Sequence, residues 1–491
     1  MADPGGAGVS PGTNVGAARG GNGDEALLAL VRKIAGEAKP GEQVEAYAAR
    51  SKGTEIKVFG GEVESLAAEN VEGVGVRIVV DGRQGFAWAG TLDPAVVTET
   101  LAEARDNAGF GSIDEYLGLP GPDEAADPGA DRAPLDLWRD ALLATPADDK
   151  ITLALDLERA VMAADSRIRG TRNVTYGDGA TEMALANSLG VEATARRCVC
   201  SVSALTLAGE GVDTRTGYGF SVGREPSELD VEEAARMAVD RAVRLLGATQ
   251  PKSRKLAVVF DPLVAASILG LISGALNGES VLKGRSMFAT PSGSRRRDRG
   301  DTPRPPGRLG EMVAGSHISI VDDPTNPEAF GAAGYDSEGV PTRQTRLIEN
   351  GKLARFLHNV HTGRRSGSGS TGSAVRAGYT STPGVGARAL HFEPGSASPE
   401  ELLRRAEGGL FVQAISGLHS GASPVTGDFS VGADGLIIRD GALAEPVREV
   451  TVASTLQRML SDLEVGNDIQ WLAGGAAAIT LLVPEMAMSG S

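Results

Sequence analysis

The side chains best suited to metal or proton chemistry in this 491-residue chain are five histidines: His317, His358, His361, His391 and His419. A hydrolytic zinc site commonly places two histidines on one helical face with a glutamate beside the first. No His-Glu-x-x-His run occurs. The one close pair, His358 and His361, is spaced i, i+3 in RFLHNVHTG, at the end of an alternating run. That spacing brings side chains together on a helix but not on a strand, where i, i+2 would. The pair therefore reads as structural or substrate-contacting rather than as a metal site.

Two stretches satisfy G-x-S-x-G, Gly8 to Gly12 and Gly219 to Gly223. A nucleophile elbow needs a strand, a sharp turn and an apolar helix around its serine. The first stretch sits in a Gly/Ala-rich terminus and the second runs into Arg224-Glu225-Pro226-Ser227, so neither has that setting. Among 66 glycines such matches arise by composition. Gly367 to Gly372 satisfies G-x-G-x-x-G without a strand-to-helix unit around it and reads as a Ser/Gly loop. Asp322-Asp323-Pro324 and Asp336-Ser337-Glu338-Gly339 gather carboxylates in runs of turn composition, which leaves acid/base catalysis there as an open alternative. Cys198 and Cys200 are the only cysteines. Spaced i, i+2 in a strand, they share one face, read as small core residues and fit a reducing compartment.

The elements that must position these groups alternate along the chain. Residues 1–23 form a Gly/Ala-rich tail without the apolar core of a signal peptide and are expected to be disordered. Residues 24–112 read as an N-terminal α+β domain, opened by a helix capped at Asp24 and containing an Asp81-Gly82 hairpin turn. Residues 113–250 read as a central α+β domain, with a capping box at Asp230 and Glu233. Residues 251–491 read as a mainly β C-terminal domain with hairpins at Asn350-Gly351 and Asp440-Gly441, and with a mobile, Arg-rich loop at 290–308 that includes Arg295 to Arg299. The segregation of helices and strands implies an α+β fold: mixed sheet-and-helix N-terminal domains followed by a mostly antiparallel β C-terminal domain.

Charge narrows the partners. Lysine and arginine total 48 against 64 acidic residues, a formal net charge of −16. Such a field repels phosphate backbones, so no nucleic-acid partner is expected. No stretch has the length and apolarity of a membrane span, so no membrane partner is expected and the cytoplasm is the default location.

Three blocks carry a family resemblance. They are GGEVESLAAENVEGVGVRIVVDGRQGFAWAG, AAGYDSEGVPTRQTRLIENGKLARFLHN, and the long run GGLFVQAISGLHSGASPVTGDFSVGADGLIIRDGALAEPVREVTVASTLQRMLSDLEVGND with the ending LLVPEMAMSG. With the STGSAVR segment they resemble the TldD/PmbA family, also called modulators of DNA gyrase, from about Glu45 to the C-terminus. The resemblance implies a two-subunit metallopeptidase. TldD-type members carry His-Glu-x-x-x-His on the first helix of the C-terminal domain and a further cysteine ligand near the chain end. Aligning LKGRSMFA with the segment after that helix places the two histidine positions near Leu269 and Gly274. No glutamate follows Leu269, and no cysteine follows Cys200.

The departure implies no catalytic residue and no metal ligand in this chain, with zinc expected in a TldD-like partner subunit. HSGASPVTGDFS and PEMAMSG look more like the PmbA/TldE branch. The resemblance then implies that this chain completes a heterodimer and helps hold unfolded or extended peptide, for instance as an added strand. His419, Ser420, Thr426, Gly427, Asp428 and Phe429 are the residues expected at the substrate or the interface, although a turn over a buried Phe429 accounts for the block equally well. Two alternatives stay open: a non-enzymatic peptide-binding or scaffold protein, and a self-sufficient hydrolase using the carboxylates near Asp336.

Overall fold

The computed structural model describes residues 22–126, 135–290 and 307–491. The expected tail up to residue 21, the Gly8–Gly12 motif and most of the 290–308 loop, including Arg295 to Arg299, lie outside the described residues.

The N-terminal part runs α1 (Asn22–Gly36), β1 (Gln43–Phe59), β2 (Glu62–Val80), β3 (Arg83–Ala89), α2 (Pro94–Phe110), α3 (Asp140–Ala144), α4 (Ala147–Ala164), β4 (Ile168–Asn187), β5 (Glu192–Ala208), β6 (Arg215–Gly223) and α5 (Val231–Val243). Helix α1 begins two residues before the expected cap, so Asp24 lies inside its first turn. The six strands make one sheet in the order β3-β2-β1-β4-β5-β6, with every neighbouring pair antiparallel. The sheet thus runs unbroken across the 112/113 boundary.

Period-2 alternation puts two apolar clusters on one face of the sheet, the face that the helices cover. Val44, Ala46, Ala48, Val74, Val76 and Ile78 pack under α1 and α2 with Leu27, Val31 and Leu101. Ile56, Val58, Val174, Tyr176, Cys198, Cys200 and Val202 pack under α4 and α5. Both cysteines are free and share this buried face, as their spacing requires. Helix α5 presents Ala234, Ala235, Ala238 and Ala242 to the sheet and lies very close to β6. A Cβ on Gly217 or Gly219 would fall 2.0 Å from the carbonyl oxygen of Ala238 or Ala234. The second G-x-S-x-G match is therefore a strand whose first glycine admits a helix. Its Ser221 Oγ accepts a hydrogen bond from Asp230 N at 2.9 Å. Asp230 caps α5 by accepting from Glu233 N, and among the described residues no reciprocal bond from Glu233 completes a capping box.

The C-terminal part runs β7 (Arg254–Phe260), α6 (Pro262–Leu276), α7 (Gly278–Leu282), β8 (Ile320–Asp322), β9 (Thr345–Glu349), β10 (Lys352–Leu353), α8 (Val360–Ser366), β11 (Ala374–Val375), β12 (Gly384–Val385), β13 (Leu390–Phe392), α9 (Pro399–Arg405) and β14 (Leu410–Ser416). There follow α10 (Leu418–Gly421), β15 (Asp428–Arg439), β16 (Ala442–Thr455), α11 (Leu456–Asp462), β17 (Glu464–Val465), β18 (Gln470–Trp471), β19 (Ala477–Ala478) and β20 (Leu481–Ser489). The main sheet is ordered β16-β15-β14-β7-β20-β17, and β16 also pairs with β20, which closes a ring. Within it only β7 and β14 run parallel. Its core gathers Val258, Phe260, Val412, Phe429 and Val452 against the α6 residues Val264, Ile268, Leu269 and Ile272. The architecture is α+β, and among the described residues no helix is long and apolar enough to cross a membrane.

Candidate functional site

Helix α6 starts at an Asp261 cap that accepts from Leu263 N at 3.0 Å, with Pro262 in the first turn where its missing N–H costs nothing. Residues five apart on a helix point about 140° from each other. Leu269 is buried in the core at 1% exposure, whereas Gly270 and Gly274 face outward. A Cβ at Gly270 would meet nothing within 4 Å, and one at Gly274 only Pro424 at 3.9 Å. The positions aligned with the zinc motif therefore hold one core leucine and two residues without side chains, and a metal does not fit there. Among the described residues no group of three His, Cys, Asp or Glu side chains could hold an ion.

The histidine pair also separates. His358 precedes the α8 cap Asn359, while His361 lies on the helix itself rather than at a strand end. His358 is buried, its Nδ1 3.1 Å from Thr362 Oγ1, and desolvation pushes its pKa down to about 4. His361 Nε2 meets Asp114 Oδ2 at 3.0 Å.

The block expected at substrate or interface forms a surface loop beside the end of α6, tied there by Met287 N donating to Pro424 O at 2.9 Å. His419, Ser420, Thr426 and Asp428 are exposed, and Gly427 and Phe429 are buried. The loop is internally braced: Thr426 Oγ1 donates to Asp428 Oδ2 at 2.6 Å and Gln457 Nε2 to Thr426 O at 3.0 Å. Gly427 has φ +85°, and a Cβ there would lie 2.1 Å from Gln457 Oε1. Phe429 meets Phe260 edge-on at 6.3 Å. The structure thus brings the six residues together but divides them: four line the surface, and two hold the turn.

A second cluster lies where the C-terminal part covers the face of the N-terminal sheet that no helix occupies. Arg77 donates to Glu45 at 2.7 Å and lies 3.3 Å from Glu338. Arg376 donates to the other oxygen of Glu45 at 2.7 Å and to Ser337 O at 2.6 Å, with its guanidinium 4.5 Å from the centre of the Tyr47 ring. Arg388 donates to Ser337 Oγ at 3.1 Å and to Ala374 O at 2.6 Å. Asp336 accepts from the amides of Glu338, Val340 and Ala374 at 2.8–3.0 Å. Burial tends to raise the pKa of Glu45, but Arg77 and Arg376 outweigh it and leave the carboxyl below its ordinary value. Burial and the Glu338 carboxylate push Asp336 up to about 7. Asp336 and Glu338 are at most 1% exposed, so substrate could not reach them while the two parts stay docked.

Family profiles match along most of the chain: PmbA/TldA metallopeptidase domain 1 over residues 44–108, the central domain over 140–246 and the C-terminal domain over 253–490. The chain belongs to the PmbA/TldD metallopeptidase family. It is 27% identical over 471 residues to the metalloprotease PmbA of Escherichia coli O157:H7, covering 95% of this chain and 96% of that protein. It is 28% identical over 437 residues to a metalloprotease of Methanothermobacter thermautotrophicus, covering 87% of this chain and 89% of that protein. Its fold is like that of TldE from Thermococcus kodakarensis, with a TM-score of 0.78 at 22% identity over 95% of this chain and 99% of that one.

Within this PmbA/TldD chain the buried ionic cluster is what the sequence motifs missed. A signal was present. Arg77 interrupts the apolar run VGVRIVV, and Glu45 interrupts VEAYAA at an inward register. A charge inside an apolar strand is rarely fully buried unless paired.

Proposed function

We propose that this chain is the non-catalytic, PmbA/TldE-like subunit of a two-subunit metallopeptidase that degrades or processes unfolded peptides in the cytoplasm. A TldD-like partner supplies the zinc, which activates water and polarises the scissile carbonyl. This chain contributes surface that completes the heterodimer and holds extended substrate. The observation that carries the reading is the occupancy of α6: buried Leu269 and bare Gly270 and Gly274 stand where the TldD pattern has His, Glu and His. The burial of Asp336 and Glu338 weighs against a self-sufficient hydrolase built on them.

The test is peptidase activity on an unstructured substrate, assayed for this protein, for a TldD-like partner and for the mixture, each with and without a zinc chelator. Activity in the mixture alone, lost on chelation, is the expected result. Chelator-resistant activity from this chain by itself would sink the proposal. Binding of unstructured peptide with no proteolysis in any arm would favour the scaffold reading instead.

A further inference from the structure

The helix-free face of the N-terminal sheet extends beyond the part that the C-terminal elements cover. Strand register places a transverse row of residues at the edge of that cover. Val71 lies opposite Ser51, Ser51 opposite Thr181, and Thr181 opposite Arg197. One row toward the C-terminal part come Gly73, Ala49, Met183 and Ala195, and Tyr379 lies so close to this row that a Cβ on Gly73 would sit 2.4 Å from its ring. One row away come Glu69, Gly53, Gly179 and Val199, and a Cβ added at Gly179 would meet nothing within 4 Å. The row thus lies at the foot of a wall, with a glycine floor and, among the described residues, open space beside it.

Arg197 is partly buried, and its guanidinium has no hydrogen-bond or ion-pair partner among the described residues. Among the described residues, the acids buried in the adjoining seam are engaged elsewhere. Glu45 serves Arg77 and Arg376, Glu338 serves Arg77 and Val360 N, and Asp336 and Asp322 accept from backbone amides. Burial, more than any charge, holds its pKa down to about 10; Arg388 and Arg224 push the same way, and Tyr47 partly offsets them. In a chain of net charge −16 this is a local positive surplus, which an arriving anion would relieve.

Two hydroxyls stand in the same row. Ser51 Oγ and Thr181 Oγ1 are 3.1 Å apart. One O–H serves the contact between them and the other remains free to donate. A guanidinium fork next to one free hydroxyl suits a planar carboxylate. We propose that Arg197, with Ser51 and Thr181, forms a carboxylate-binding subsite on the open sheet face, which anchors an extended peptide by its free C-terminus or by an acidic side chain. This rests on the peptide-holding reading above and adds to it the chemistry of one contact.

The experiment titrates the full-length protein into three unstructured Gly/Ser/Ala peptides bearing an uncharged N-terminal dye and reads fluorescence anisotropy. One peptide ends in a carboxylate, one in a carboxamide, and one in a carboxamide with a single internal glutamate. A peptide carboxylate is expected to tighten binding about tenfold over the neutral peptide, the scale of one charge-assisted hydrogen-bonded pair. Which of the two acidic peptides gains identifies the source of the carboxylate. R197Q should abolish the preference, R197K should keep part of it, and G179L, which fills the recess, should weaken all three peptides. Equal binding of acidic and neutral peptides, or a preference that survives R197Q, overturns the subsite and leaves the peptide-holding reading intact. Failure of the wild type to bind any of the three overturns both.

Discussion

Under the cover of the C-terminal part, Arg77 and Arg376 each reach an oxygen of Glu45 at 2.7 Å, and all three side chains are at most 7% exposed. Farther along the same face of the same sheet, Arg197 reaches no carboxylate at all among the described residues. Strand geometry is common to both places, so the difference comes from what packs on top. Where two parts of one chain close on each other, every buried cation has acquired an acid or a carbonyl, because an unpaired charge there would cost several kcal/mol. Where the cover stops, Arg197 keeps part of its surface in water and carries the rest of that penalty as a lowered pKa, which an arriving anion would relieve. The covered half reads as architecture and the open half as a receptor surface.

The sharpest way to break this contrast is to remove Glu45. Glu45→Ala takes away the carboxylate that Arg77 and Arg376 share in a dry seam, where Glu338 still faces Arg77 and the Ser337 carbonyl still faces Arg376. Loss of one partner from a buried pair costs about 3–5 kcal/mol. Urea unfolding should show the midpoint falling accordingly at unchanged slope. A loss below about 1 kcal/mol would mean that water already reaches the seam, and the two halves would no longer differ in kind.

How far the sequence anticipated this depends on whether a feature was local. The hairpins at Asp81-Gly82, Asn350-Gly351 and Asp440-Gly441 were readable because both residues of each turn have positive φ, which those residue types adopt most cheaply. The start of helix α6 is local in the same way, because Asp261 caps it and Pro262 opens its first turn. The outer half of β2 was not readable. Residues 62–72 are exposed on both faces, so no alternation marks them, and the Gly60-Gly61 turn before them went unrecognised. The loop at His419 to Phe429 was located by resemblance, but its division into exposed and structural residues needed Gln457 and Phe260, which are distant in sequence. The seam was harder still, since Glu45 and Arg376 are separated by 331 residues and only tertiary folding makes them partners.

Acid should test the covered half as a whole. His358 lies two residues before Val360, whose N donates to Glu338 Oε2 at 2.8 Å, and burial holds the imidazole neutral down to about pH 4. Its unfolded pKa is the ordinary 6.5. Between these values the unfolded chain binds the extra proton and the native chain does not, so stability falls as pH drops from about 6.5 to 4. Two to three pKa units correspond to about 3 kcal/mol. The measurement is the pH dependence of unfolding free energy for the wild type minus that for His358→Asn. A flat difference would show that the imidazole has solvent access. Glycines give a smaller contrast. Gly219→Val drives a side chain into the Ala234 carbonyl and should cost about 1–3 kcal/mol, whereas Gly179→Val enters open space and should cost nothing measurable in the same assay.

The smallest expected effect is the most telling for the open half. Arg197→Gln breaks no ion pair among the described residues and removes a positive charge that burial, Arg388 and Arg224 disfavour. Its unfolding free energy should therefore stay within about 0.5 kcal/mol of the wild type, and any change should be a gain. Arginines that build a fold do not behave this way, because removing one leaves its acid partner unpaired in the interior. A loss of more than about 1 kcal/mol in Arg197→Gln would mean that the side chain is committed within the fold. Unchanged stability together with loss of carboxylate preference in the peptide titration would separate the roles cleanly: Arg77 and Arg376 hold the two parts of the chain together, and Arg197 waits for a ligand.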